Sequence, residues 1–240
     1  ITANTAKVTN STSATDLTSG TLADARFPAT LPAISGANLT NLPAGGATSI
    51  DGLSDGYSAG NSVGLGTGAL ANDDGTNANT AVGTNSLTSN TSGTYNAALG
   101  LYSLYANTTG SSNTAVGATA LQSNFTGGYN TAIGTYALQA NTSGSKNTAH
   151  GYQALYSNRD SKNVATGFEA LKSNTTGGSN TASGYQALKA ATTADKNTAD
   201  GAYALVGNTT GEFNIGLGYG AGTLITTGSN NTVIGDLEGT

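Results

Sequence analysis

Side chains able to do chemistry are scarce in this chain and lie far apart. It holds one histidine, His150, with no cysteine, methionine or tryptophan and 13 carboxylates in 240 residues. Nucleophilic catalysis needs a nucleophile, a base and a group that orients the base, all within hydrogen-bond reach. Asp73-Asp74 and the Asp236/Glu238 pair stand isolated in the sequence. No such set can be assembled, so the chain is expected not to be an enzyme and no cofactor is expected. Without cysteine there is neither a disulfide framework nor a thiolate metal site.

Three groups of residues keep a spacing that could still carry binding. His150, Thr166, Ser183 and Asp200 follow one another at intervals of 16 or 17 residues. If copies of the chain turned these residues toward a shared axis, they would form hydrated rings able to hold an ion or water. Turned to solvent, they would mean little. Six of the eight cationic residues lie between 146 and 196, among them Lys146, Lys162, Lys172, Lys189 and Lys196. These lysines, with Tyr129 and Tyr156 near the turns, are candidates for contact with a surface glycan. They also fit solvated turns balanced by Asp160, Glu169, Asp195 and Asp200. Rings at Tyr102, Tyr136, Tyr152, Phe168, Tyr185, Tyr203 and Tyr219 fit packing or sugar stacking.

The intervals come from a repeat. NTAVGATAL at 113–121 returns as NTAIGTYAL at 130–138, NTAHGYQAL at 147–155 and NTASGYQAL at 180–188. Units begin at Ser62 and then at ten asparagines from Asn79 to Asn231, every step being 17 residues except one of 16. A fixed short period is the signature of a solenoid, in which each unit packs only on its neighbours. Counted from zero, each unit has Asn at its start (Asn79, Asn96, Asn113, Asn130, Asn147), Ala at position two and Gly at position four (Gly83, Gly100, Gly117, Gly134, Gly151). Leu stands at position eight (Leu87, Leu104, Leu121, Leu138, Leu155), and a polar Asn-Thr-Thr-Gly turn follows.

The reading of one coil is a strand, a glycine corner, a second short strand ending in Ala-Leu, and a turn. Ala and Leu are expected inside and positions one and three outside, with the leading asparagines stacked as an amide ladder. The short unit loses its residue in Asn158-Arg159-Asp160-Ser161-Lys162, where a loop absorbs the change and a strand would not. Coils about 4.8 Å apart make a rod of about 50 Å. One leucine per coil is a thin interior, which favours burying a second face against further copies.

Composition agrees with a repeat array. Leu, Ile, Val and Phe together are about 16% of residues, below the level at which ordinary cores form. Yet charged residues are 9% and net charge is −5, too little to expand a disordered chain. That charge also excludes a nucleic-acid partner. No run approaches the roughly 18 apolar residues of a membrane helix, so no membrane insertion is expected. All three prolines, Pro28, Pro32 and Pro43, fall in residues 20–61, where short apolar pieces alternate with turn formers. The expected organisation is an extended segment at 1–61 and a solenoid at 62–240. Ile1 in place of Met, and a final NTVIGDLEGT that stops short of its period, suggest a segment of something longer.

The stretch DARFPATLPAISGANLTNL, residues 24–42, resembles a linker of bacteriophage tail fibres. The NTAVG-type units resemble repeats of phage fibre proteins and the left-handed parallel β-roll heads of trimeric autotransporter adhesins, whose period is typically shorter. The resemblance implies an all-β parallel β-roll or β-solenoid of about eleven coils, assembled as a homotrimer. It further implies a structural or adhesive part of a virion tail fibre, or otherwise of an extracellular surface, with other tail proteins and a host surface glycan as partners. A bacterial adhesin head is the alternative. An ice-binding solenoid is another, since Thr80, Thr114, Thr131, Thr148, Thr181, Thr198 and Thr232 form a regular row at position one.

Overall fold

The computed structural model describes residues 56–235. The segment expected to be extended over residues 1–55, and Asp236 and Glu238, lie outside the described residues. The described chain is all-β: β1 (Gly56–Ala59), β2 (Ser62–Leu65) and ten three-residue strands from β3 (Thr80–Val82) to β12 (Thr232–Ile234). They form one sheet in chain order. β1 folds back antiparallel on β2, so residues 56–61, grouped with the linker on sequence alone, supply an edge strand and its turn. From β2 onward all pairing is parallel, and each position meets the same position of the next unit, as in Thr114↔Thr131, Ala115↔Ala132 and Val116↔Ile133. This is the β-solenoid that the repeat predicts.

Position two points inward and positions one and three outward, as strand alternation requires. Ala115 and Leu121 have no exposed surface, and the other alanines of position two and leucines of position eight are buried as well. Position seven, Ala or Ser, is buried as well, so small side chains on two walls close over one leucine per coil. Gly117 at the corner has φ +128°, and a Cβ there would sit 2.7 Å from the carbonyl carbon of Gly134. Successive corners therefore stack backbone on backbone, which no other residue permits.

The second strand does not form. Positions five to ten are turns, and the nine leucines at position eight all have φ between +50° and +54°. A left-handed L-residue costs about 1–2 kcal/mol and is worst for β-branched side chains, which explains why Leu and never Ile or Val stands here. Coil-to-coil bonding survives the change: the Leu104 N–H donates to the Ala120 carbonyl at 3.0 Å, and the Leu121 N–H to Ala137 at 3.0 Å.

The leading asparagines form the expected ladder, and its geometry explains their near-invariance. The Asn113 backbone N–H donates to Asn96 Oδ1 at 3.0 Å, while Asn113 Nδ2 donates to the Gly127 carbonyl at 2.9 Å. One amide thus binds the next coil and closes its own. A second ladder runs through position eleven, in the segment read as a polar turn. Asn107 Nδ2 reaches Asn90 Oδ1 at 2.9 Å and Asn124 Nδ2 reaches Asn107 Oδ1 at 2.8 Å, all three side chains being buried.

Every bond of this inner ladder donates toward the N-terminal end, so its first member needs only to accept. That member is Asp73, a carboxylate with acceptors alone. Its Oδ1 receives Asn77 Nδ2 at 2.6 Å and Asn90 Nδ2 at 2.9 Å, and its Oδ2 receives the Gly75 N–H at 3.3 Å. Ser62 plays the same part for the outer ladder, its Oγ accepting the Asn79 N–H at 3.1 Å. The inner ladder breaks twice. Asn174 Oδ1 is unpaired because Ala191 follows it, and Asn141 Oδ1 because Asn158, in the shortened coil, keeps only the bond to its own turn, at the Asp160 carbonyl at 2.7 Å, where Asn124 bonds both its turn and Asn107. That carbonyl also takes Asn147 Nδ2, the bond glycine accepts in the neighbouring coil, so the deletion stays in the turn and His150↔Thr166 remains in register.

Leu121→Ala is expected to lower stability by about 2–5 kcal/mol, read by chemical unfolding, because the narrow interior has nothing to refill the space. Asp73→Ala strands buried amide donors and is expected to cost about 1–3 kcal/mol, read as a fall in melting temperature.

Candidate functional site

The regular turns distribute the outward residues into rows along the solenoid. His150, Thr166, Ser183 and Asp200 close β7 (Thr148–His150), β8 (Val164–Thr166), β9 (Thr181–Ser183) and β10 (Thr198–Asp200), and register places them side by side. His150, Thr166 and Asp200 are exposed and Ser183 half-buried. His150 and Asp200 are three strands apart, about 14 Å at the usual strand spacing, so within one chain they cannot share an ion. Among the described residues no group of three or more His, Asp or Glu is disposed to hold a metal ion.

The glycan candidates separate into two rows seven positions apart around the coil. Tyr129, Lys146, Lys162 and Lys196 occupy the last position before each leading asparagine, with φ between +56° and +66° and their side chains exposed. Lys196 Nζ lies 4.7 Å from the centre of the Phe213 ring, a cation–π contact. Tyr156, Lys172 and Lys189 stand at position nine instead. The two lysines there are committed, since Lys172 Nζ meets Glu169 Oε1 at 2.6 Å and Lys189 Nζ meets Glu169 Oε2 at 2.7 Å. Gln186 Nε2 adds a bond to Oε2 at 2.9 Å. Of the four carboxylates that could balance these lysines, Glu169 is the one that does so by a direct ion pair among the described residues. Asp160 and Asp195 instead accept backbone N–H groups, of Ser161 and Gly178, each at 2.6 Å.

The aromatic row is continuous from Tyr136 to Tyr219, while Tyr102 stands apart and pairs with Tyr105 at 5.3 Å. Tyr152, Phe168 and Tyr185 stack with centroids 5.2 Å apart and planes within 17° and 6° of each other. Tyr136 and Tyr203 extend the row edge-on at either end, and Tyr219 continues it. Phe168 therefore turns both faces to neighbouring rings of its own chain, which leaves little face for a sugar. Tyr156 joins the same cluster through Tyr136 at 6.4 Å.

Two features were missed in the sequence. The buried asparagines of position eleven read as a turn because Asn is a turn former, yet their recurrence from Asn90 to Asn174 was a visible signal. Glu169 as a hub had no such signal, because its partners come from two coils.

The Lys172 and Lys189 ammoniums, with Gln186, hold the Glu169 carboxyl well below its ordinary 4.5, at about 2. A depressed carboxyl stabilises the fold above its unfolded value and loses that contribution as pH falls through the folded one. Melting temperature of the wild type should thus drop between about pH 4.5 and pH 2 relative to Glu169→Gln, the two converging at the acid end. Parallel curves over that window would remove the ion pair as a stabilising element. Comparison of the chain with protein-family models, curated proteins and solved structures returns no match.

Proposed function

We propose that this chain is a structural and adhesive segment of an extracellular trimeric fibre, a phage tail fibre shaft that presents or contributes to host attachment. The observation that carries the reading is the exposed aliphatic row on an otherwise self-satisfied rod. Each coil is closed by its own asparagine and bonded to its neighbours, so the solenoid itself leaves few backbone demands unmet. What it leaves uncovered is apolar side chain, with Leu99 at 50% and Ile133 at 36% exposure. A rod of that kind is suited to lateral association and to spacing, not to turnover. The resemblance of residues 24–42 to tail-fibre linkers supports the phage setting over the adhesin one.

Gold-labelled antibody raised against the chain should decorate the fibres of virions in electron micrographs. Label on the bacterial cell envelope, with none on particles, would replace this reading by the adhesin head. Inhibition of ice recrystallisation by the purified chain would replace it by the ice-binding one.

A further inference from the structure

The outward face of the parallel sheet, made by positions one and three, is a long strip whose pattern is more informative than its polarity. Eleven strands at about 4.8 Å spacing and about 10 Å of strand width give roughly 500 Å² on each copy, or about 1,000 Å² for two, which is the lower bound for a biological interface. Along position three the strip runs through five aliphatic side chains from Leu65 to Ile133, four polar ones from His150 to Asp200, then Leu217 and Ile234. We infer that copies of the chain meet along this strip, parallel and in register, and that the His150–Asp200 block sets the register. The inference rests on the reading of the chain as a multichain fibre and names the face and alignment which that reading leaves open.

A periodic face poses a problem for self-association. Two identical repeats can slide by one coil and find nearly the same contacts again, so a uniform aliphatic row would specify contact without alignment. The block removes the ambiguity. With copies parallel and in register, aliphatic meets aliphatic and polar meets polar at all eleven coils. A slip of one coil sets the His150 imidazole against Ile133 and the Asp200 carboxylate against Leu217, desolvating each on an aliphatic side chain, whereas in register the facing Asp200 carboxylates lie in one hydrated polar block. Reversal is worse, because Leu99, Val116 and Ile133 then face Asp200, Ser183 and Thr166. Thr166 and Ser183 are both donors and acceptors, so in register their hydroxyls can bond to their own copies. A buried polar residue in a coiled coil acts the same way, fixing register at a cost in stability.

The chain contains no cysteine in its 240 residues, which allows a direct test in this chain. Ser183→Cys should oxidise to a disulfide between two copies, since in-register packing brings the same position of each chain within disulfide reach. Thr181→Cys, on the adjoining position-one row, serves if Ser183→Cys fails to fold. Thr176→Cys, exposed on a turn, should not cross-link. Chains carrying Ser183→Cys, mixed with chains carrying Thr166→Cys, should give identical-position cross-links at least tenfold in excess of mixed ones. The excess should fall away when His150→Val and Asp200→Val are added to both. A single chain by native mass spectrometry at micromolar concentration would overturn the fibre reading itself. A multimer cross-linked through Thr176→Cys and not through Ser183→Cys or Thr181→Cys would overturn the face alone. Equal identical-position and mixed cross-links with the block intact would overturn the register.

Discussion

A buried asparagine amide, bonded at once to the backbone of the next coil and to the turn of its own, is the interaction on which this fold depends. A coil with one leucine and a few alanines has almost no core of its own. It is held because Asn113 and its equivalents tie strand to turn within the coil and strand to strand between coils. The same amides forbid drift in the period, since a residue gained in a strand would move every later asparagine to the wrong face. Glycine at the corner and left-handed leucine follow from the same demand, because coils that stack at strand spacing leave room for backbone only.

Direction enters through the ladders. Each amide donates toward the N-terminal end and accepts from the other side, so the first coil needs acceptors. The Asp73 carboxylate, which only accepts, and the Ser62 hydroxyl oxygen supply them, and β1 adds an antiparallel strand beside the first parallel one. The two interruptions, at Asn141 and Asn174, flank the shortened coil and its successor. Their unpaired oxygens mark where the repeat gives way to individual sequence.

Apart from these interruptions, most of the individual sequence lies in the outward rows. Over coils beginning at Asn147, Asn163 and Asn180, position three turns polar, the aromatic row is best stacked, and Glu169 gathers its lysines. None of these changes touches the interior, where Ala and Leu persist unchanged. The architecture thus separates what must repeat from what is free to vary.

The solenoid, its period, the Ala and Leu of its interior and the location of the deletion were legible in the residues alone, because in-register stacking makes each position meet its own kind and writes the contacts into the period. Asn113 was readable as a ladder member and Gly117 as a corner for that reason. The conformation of Leu121 was not, since an Ala-Leu pair suits a strand and a left-handed turn equally in local terms, and only closure of the coil selects the turn. Nor could spacing reveal that Lys172 and Lys189 converge on Glu169 while Lys146 and Lys162 stay free in another row. Those pairings depend on where each turn aims its side chains around the coil, a direction that a one-dimensional repeat does not contain.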